Sequence, residues 1–171
     1  MANPEYWEKA LEGFEYAAFP DLTGLSSKGK SSRSLAGSSK TERKLEVKLD
    51  AIVQQAKQLE VSLSALLQAA WAKVLAAYVG EHDLCFGYLD GQSQHASVLP
   101  LRVAIQPSTT HEKLAKDCFR SWEDVKTQKA PDSETLKATL ESEDAKLYDT
   151  LLVLDPNASD STKSEDIVSL A

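Results

Sequence analysis

The chain has 171 residues and a mass of 18.7 kDa, 42% hydrophobic and 26% charged, a balance that suits one folded domain with its own core. Its 26 acidic residues outnumber 19 basic ones for a formal charge of -7, which argues against a nucleic-acid footprint and against a patch for anionic lipid. No run approaches the roughly 20 apolar residues of a membrane span, and Met1-Ala2-Asn3-Pro4-Glu5 lacks the basic and apolar regions of a signal peptide, so a cytoplasmic protein is expected.

Pro4 to Leu11 reads as a short helix with proline in its first turn and Trp7 and Leu11 on one face. Ser26 to Lys40 is rich in serine and glycine and carries Lys28, Lys30, Arg33 and Lys40 without an acid. Such a segment predicts a mobile surface loop, bounded here at 24–42, whose other reading is a phosphorylatable or anion-binding strip. Leu45, Val47 and Leu49 then alternate with Glu46 and Lys48, the period of a half-buried strand, which runs into a helix with Asp50 as its N-cap and Ile52, Val53, Ala56 and Leu59 at helical spacing. The next helix is the strongest pattern in the chain. Ser62 is placed to cap it and Gly80 to stop it, and Leu63, Leu66, Leu67, Ala70, Trp71, Val74, Leu75 and Tyr78 predict its buried face.

Leu84 to Leu89 is a nearly continuous apolar run ending at Asp90-Gly91, the pattern of a buried strand. A second strand spans Val98 to Ile105 with Leu99, Leu101, Val103 and Ile105 on one face, and Pro100 marks its start as an edge or a bulge. Thr109 with Glu112 gives a capping-box pattern for a helix that turns Leu114, Ala115, Cys118, Phe119, Trp122 and Val125 to one side. A weaker helix, Glu134 to Leu140, leads to a last strand, Leu147 to Leu154, and to a polar tail over 159–171 with linker composition, so that more chain is expected to follow. Strands alternating with helices predict an α/β two-layer sandwich with a mixed sheet, the domain occupying 1–158.

Catalytic equipment is sparse in this pattern. His82, His95 and His111 fall on a turn, in a loop and at a helix start, and none has a second His or Cys at metal-ligand spacing. Gly87 and Gly91 are isolated rather than part of a phosphate loop, and Glu141-Ser142-Glu143-Asp144 lacks a calcium-loop pattern. Cys85 and Cys118 lie in apolar runs and read as reduced, buried thiols. No catalytic, cofactor or metal residue is assigned on this basis, and no cofactor is expected.

Four segments in order nevertheless resemble the C-terminal half of condensation domains of non-ribosomal peptide synthetases, especially the fungal form. Tyr6-Trp7-Glu8-Lys9-Ala10-Leu11-Glu12-Gly13 resembles the segment that opens that half. The helix Ser64 to Gly80 with Asp83-Leu84-Cys85-Phe86-Gly87-Tyr88 is similar to the family's alanine-rich helix and following strand. Val98-Leu99-Pro100-Leu101-Arg102-Val103 resembles the family's Asn-x-Leu-Pro-x-Arg motif, with Ser97 where asparagine is usual, and Leu147-Tyr148-Asp149-Thr150 resembles a degenerate Asn-Pro-Leu-Phe motif. The family's catalytic His-His-x-x-x-Asp-Gly motif is absent from the sequence.

The resemblance implies one lobe of a chloramphenicol-acetyltransferase-like fold, a partial condensation domain standing without the catalytic half of its active site. It implies a scaffold or docking module for the adenylation domain, the phosphopantetheinylated carrier protein or a partner synthetase subunit, with Lys28, Lys30, Arg33 and Lys40 as a docking loop for an acidic carrier. A second reading is half of a split acyltransferase completed by a lobe supplied in trans, in which Leu99, Pro100 and Arg102 shape the acceptor side of a shared tunnel. A third is a remnant that covers an apolar face of its neighbour. Arg102 has a further reading of its own, a structural ion pair at a strand edge.

Overall fold

Helix α1 (Pro4–Leu11) starts where the sequence placed it. In this computed structural model, which describes residues 3–20, 41–91, 97–140 and 146–155, the Asn3 side chain accepts from the Tyr6 amide at 3.4 Å and Pro4 occupies the first turn. Trp7 and Leu11 are buried, and α1 packs against α5 (Ser133–Leu140). The predicted loop over 24–42, apart from its last two residues, lies outside the described residues together with Lys28, Lys30, Arg33 and Lys40. So do His95, the acidic run at 141–144 and the polar tail.

The strand expected at Leu45, Val47 and Leu49 is not formed. The backbone bends at Glu46 and Val47, and Leu49 already opens helix α2 (Leu49–Gln58), with Lys48 rather than Asp50 at the N-cap position. A strand exists only by pairing, and this segment pairs with none of the described strands, so its apolar residues stay exposed. Asp50 instead sits in the first helical turn, where its carboxylate complements the positive end of the helix. Glu60, at φ 57, then reverses the chain into helix α3 (Leu63–Val79).

Both ends of α3 are as expected, with Ser62 Oγ accepting from the Ala65 amide at 3.1 Å and Gly80 in the left-handed region at φ 80. Its buried face is not. The core side carries Ala65, Gln68, Ala69, Ala72 and Leu75, while Ala70, Val74 and Tyr78 are exposed and Leu63, Leu66, Leu67 and Trp71 are half-buried. The reason is steric. Alanines let α3 approach its neighbours closely, and a helix apolar on every side has no polar face to point away from the core.

Helix α4 (His111–Val125) packs beside α3, and the two cover a sheet of β1 (Asp83–Asp90), β2 (Leu99–Ala104) and β3 (Leu151–Leu154). The strand order is β2-β1-β3, with β1 antiparallel to β2 and parallel to β3. The layered fold with a mixed sheet is therefore as expected. Leu99, Leu101, Val103 and Ile105 are all buried, and so is the predicted side of α4, where only Phe119 remains half-exposed. The cap of α4 is Thr110, whose Oγ1 accepts from the Lys113 amide at 3.2 Å; Thr109 serves the preceding turn by accepting from Gln106. The last strand is shorter than expected, with Leu147 buried ahead of it.

Cys85 and Cys118 are free and buried. Burial pushes both thiols, and the Tyr88 hydroxyl, up to about 12. Since the unfolded chain ionises these groups from the ordinary thiol and phenol range upward, it sheds protons that the folded chain keeps, and stability falls as pH rises from about 9 towards 12. Unfolding midpoints in urea are expected to be flat from pH 7 to the ordinary thiol range and to drop above it, with Cys118→Ala reducing the slope. Neither thiol is expected to react with a water-soluble disulfide reagent at pH 8 until the protein is unfolded.

Candidate functional site

The sequence-predicted residues of β2 sit on an edge strand whose register pairs Gly87 with Pro100, Phe86 with Leu101 and Cys85 with Arg102. Leu99 and Pro100 are buried in this chain, and Leu101 is fully so. Alternation turns Arg102 towards the other side of the strand, where it is partly exposed and reaches diagonally to β1. Its Nε and Nη2 donate to the two Asp83 carboxylate oxygens at 2.9 and 2.7 Å. Its Nη1 donates to the carbonyls of Ala10 at 3.1 Å and Glu12 at 2.8 Å, and its guanidinium carbon lies 5.5 Å from the Phe14 ring centroid. Arg102 thus ties the sheet to the end of α1. The structural ion pair considered for it is present.

A small cleft, partly open to solvent, lies alongside and is lined by Phe14, Phe19, Val79, Asp83, Cys85 and Asp149 among others. Both of its carboxylates are already engaged. Asp83 holds Arg102; Asp149 accepts from the Tyr16 hydroxyl and from the Phe19 amide at 2.9 Å and pairs with Lys146. Partial burial works against the Asp149 charge, but Lys146, Tyr16 and the Phe19 amide outweigh it and hold this carboxyl below the usual range. A carboxylate committed in this way is a poor proton carrier near neutrality. The sequence showed none of this second network, because Tyr16 and Asp149 are 133 positions apart.

The two described histidines are exposed and separate: His82 precedes β1, and His111 Nε2 lies 3.4 Å from Lys73 Nζ. Among the described residues no group of three His, Cys, Asp or Glu side chains is placed to hold a metal ion, and no single helix is long and apolar enough to cross a membrane. The described side chains bring together ion pairs and packing rather than a nucleophile with its base.

Gly87 is where β1 leaves no room for a side chain. A Cβ there would lie 2.8 Å from Tyr148 Cε2 and 2.9 Å from Val98 Cγ1. Gly87→Ala is expected to push the Tyr148 ring off the strand and to destabilise the chain by about 1–2 kcal/mol in urea unfolding. The same substitution in a Tyr148→Ala background is expected to cost markedly less, which a double-mutant cycle reads directly.

No protein-family model matches the sequence. Curated relatives do: nonribosomal peptide synthetase 2 of Cochliobolus heterostrophus is 32% identical over 163 residues, covering 88% of this chain and 3% of that protein. The nonribosomal peptide synthetase nlsA of Emericella nidulans is 27% identical over 150 residues, covering 85% of this chain and 2% of that protein. The chain thus spans only a few per cent of the curated relatives it matches. Among solved structures, the EpoB cyclization-docking bidomain from Sorangium cellulosum superposes with a TM-score of 0.66 at 10% identity, over 90% of this chain and 34% of that one. The starter condensation domain of rhizomide synthetase superposes with a TM-score of 0.62 at 16% identity, over 90% of this chain and 35% of that one. These likenesses establish the fold, the chloramphenicol-acetyltransferase-like lobe expected from the sequence.

Proposed function

We propose that this chain is part of a condensation domain of a non-ribosomal peptide synthetase, which its likeness to the fungal synthetases and to the condensation-domain fold supports, and that it acts as a non-catalytic scaffold or docking module within such an assembly. Its partners in this reading are an adenylation domain, a carrier protein or a partner synthetase subunit. The observation that carries it is a mismatch. The segment has a formed core and the condensation-domain fold, but no His-His-x-x-x-Asp-Gly motif, and both carboxylates of its cleft are committed to structural pairs. In this reading the hundredfold or more that a positioned acid-base group typically contributes comes from a polypeptide that carries that motif.

The test is binding of the purified chain to adenylation and carrier domains of the Cochliobolus heterostrophus relative. Saturable association in the micromolar range, without acyl transfer, is expected. No association with any of them sinks the scaffold reading.

The covered share of the fold also favours a second reading, half of a split condensation-type acyltransferase. Under it, acyl transfer appears only when this chain is mixed with polypeptide carrying the His-His motif, and it is lost when either part is omitted.

A further inference from the structure

From Glu15 to Pro20 the chain has neither helix nor strand, and no main-chain to main-chain hydrogen bond joins this segment to the other described residues. Its polar fastening converges on one group. Asp149 Oδ2 accepts from the Tyr16 hydroxyl and from the Phe19 amide at 2.9 Å, and Lys146, paired to the same carboxylate, lies 5.2 Å from the Tyr16 ring centroid. A second hold is the tilted contact of Phe19 with Tyr78, near the end of α3, at 5.7 Å between ring centroids. The residue that leads into the segment is secured differently. Phe14 is buried with the Arg102 guanidinium over its ring, and its amide donates to the Leu11 carbonyl at 3.0 Å. Beyond it Glu15 and Ala18 are exposed, and Tyr16, Ala17, Phe19 and Pro20 are only half-buried. Ala17 and Phe19 line the cleft together with Leu75, Val79, Cys85 and Leu147. A segment with no ladder to break and little fully buried surface belongs to the low-stability end of a fold.

We propose that Glu15–Pro20 is a strap clasped by Asp149, which swings away from Phe14 as a unit while the core stays folded, and so opens Cys85 and the apolar lining of the cleft to solvent. Both hydrogen bonds of the strap end on one oxygen of one carboxylate, so they are lost together. A segment tied at separate anchors would instead come away piecemeal. The other carboxylate of the cleft secures the fixed end: Asp83 holds Arg102, which also grips the Ala10 and Glu12 carbonyls ahead of Phe14. The strap is thus free to move against an anchored base, the arrangement of a lid beside a rigid element. Neither reading of function above enters this inference, and it stands or falls apart from them.

The test is native-state amide exchange of the purified chain in sub-denaturing urea, read together with thiol labelling. The Phe19 amide is expected to exchange at least about tenfold faster than the amides around Cys118 in α4, at a rate that urea leaves unchanged, because the opening exposes little surface. In the parent the clasped strap keeps Cys85 as unreactive as Cys118 on the labelling timescale. In Asp149→Ala, Cys85 is expected to label at least about tenfold faster than Cys118, whose burial in α4 makes it a reporter of global unfolding. Tyr16→Phe removes one of the two bonds and keeps the ring, and is expected to fall between the parent and Asp149→Ala. Lys116→Ala, which breaks the Lys116–Glu112 pair on the outside of α4, is expected to alter neither readout. The exchange measurement needs no variant, so it decides even where a substitution unfolds the chain. A Phe19 amide with the rate and urea dependence of α4, or Cys85 and Cys118 labelling together in a folded Asp149→Ala, would each overturn the proposal, since the strap would then come away only with the whole fold.

Discussion

Trp7→Ala is expected to destabilise the chain by about 3–5 kcal/mol, enough to unfold a large fraction of a domain with ordinary stability. The indole is only 1% exposed and joins the main core cluster at the face α1 turns inward. Its Nε1 donates to the Lys129 carbonyl at 3.0 Å, so it fastens α1 to the link between α4 and α5, 122 positions away. Truncation removes the buried rings, leaves a cavity, and strands a partly buried carbonyl. Trp7→Phe separates these contributions. It keeps most of the apolar volume and loses the hydrogen bond, so a loss of about 1–2 kcal/mol is expected. Chemical denaturation with far-ultraviolet dichroism measures both; a Trp7→Ala variant within 1 kcal/mol of the parent would refute the anchoring role.

What could be read in the sequence was mostly local. Pro4 in a first turn, and Ser62 with Gly80, mark helix ends because the signals at a helix end act within a turn of it, whereas the Asn3 cap was not read. The alternation from Leu99 to Ile105 survives because each of those residues has a core to face. Two features needed information the local pattern does not carry. The inward side of α3 is chosen by fit: Ala65, Ala69 and Ala72 admit a close approach that Leu66, Trp71 and Tyr78 would block, and hydrophobicity alone ranks the larger residues first. The segment at Leu45–Leu49 has the strand period, but a strand is a property of a pair, and no described strand pairs with it.

The cleft was illegible for a related reason. Motif resemblance singled out Asp83 and Arg102 as members of two separate segments, and only the antiparallel register of β1 and β2 makes them a pair. Nothing near Tyr16 in sequence announces that it joins Lys146 on Asp149. Side chains that link distant elements leave no periodic trace, so a functional reading from composition alone would have credited those carboxylates with freedom they do not have.

Arg102→Met is expected to lower the unfolding free energy by about 2–3 kcal/mol, with the loss concentrated where α1 meets the sheet. An exposed ion pair would be worth less than about 1 kcal/mol, and the Arg102 and Asp83 side chains do retain 26% and 39% of their exposure. Three further features raise the figure. The pairing is two-pronged onto Asp83, a second set of bonds satisfies the Ala10 and Glu12 carbonyls at the end of α1, and the guanidinium packs over Phe14. Methionine keeps the apolar stem, so the loss reports the guanidinium rather than its packing. Arg102→Lys restores charge without the planar fork and is expected to recover no more than about half of the loss. In a double-mutant cycle with Asp83→Asn, a coupling of about 1 kcal/mol is expected, the remainder belonging to the two carbonyls. Hydrogen exchange in Arg102→Met should quicken over Pro4–Leu11 before it does in β1. A uniform quickening would mean that Arg102 stabilises the sheet itself rather than its junction with α1, and a loss below about 0.5 kcal/mol would leave the pair as an ordinary surface contact.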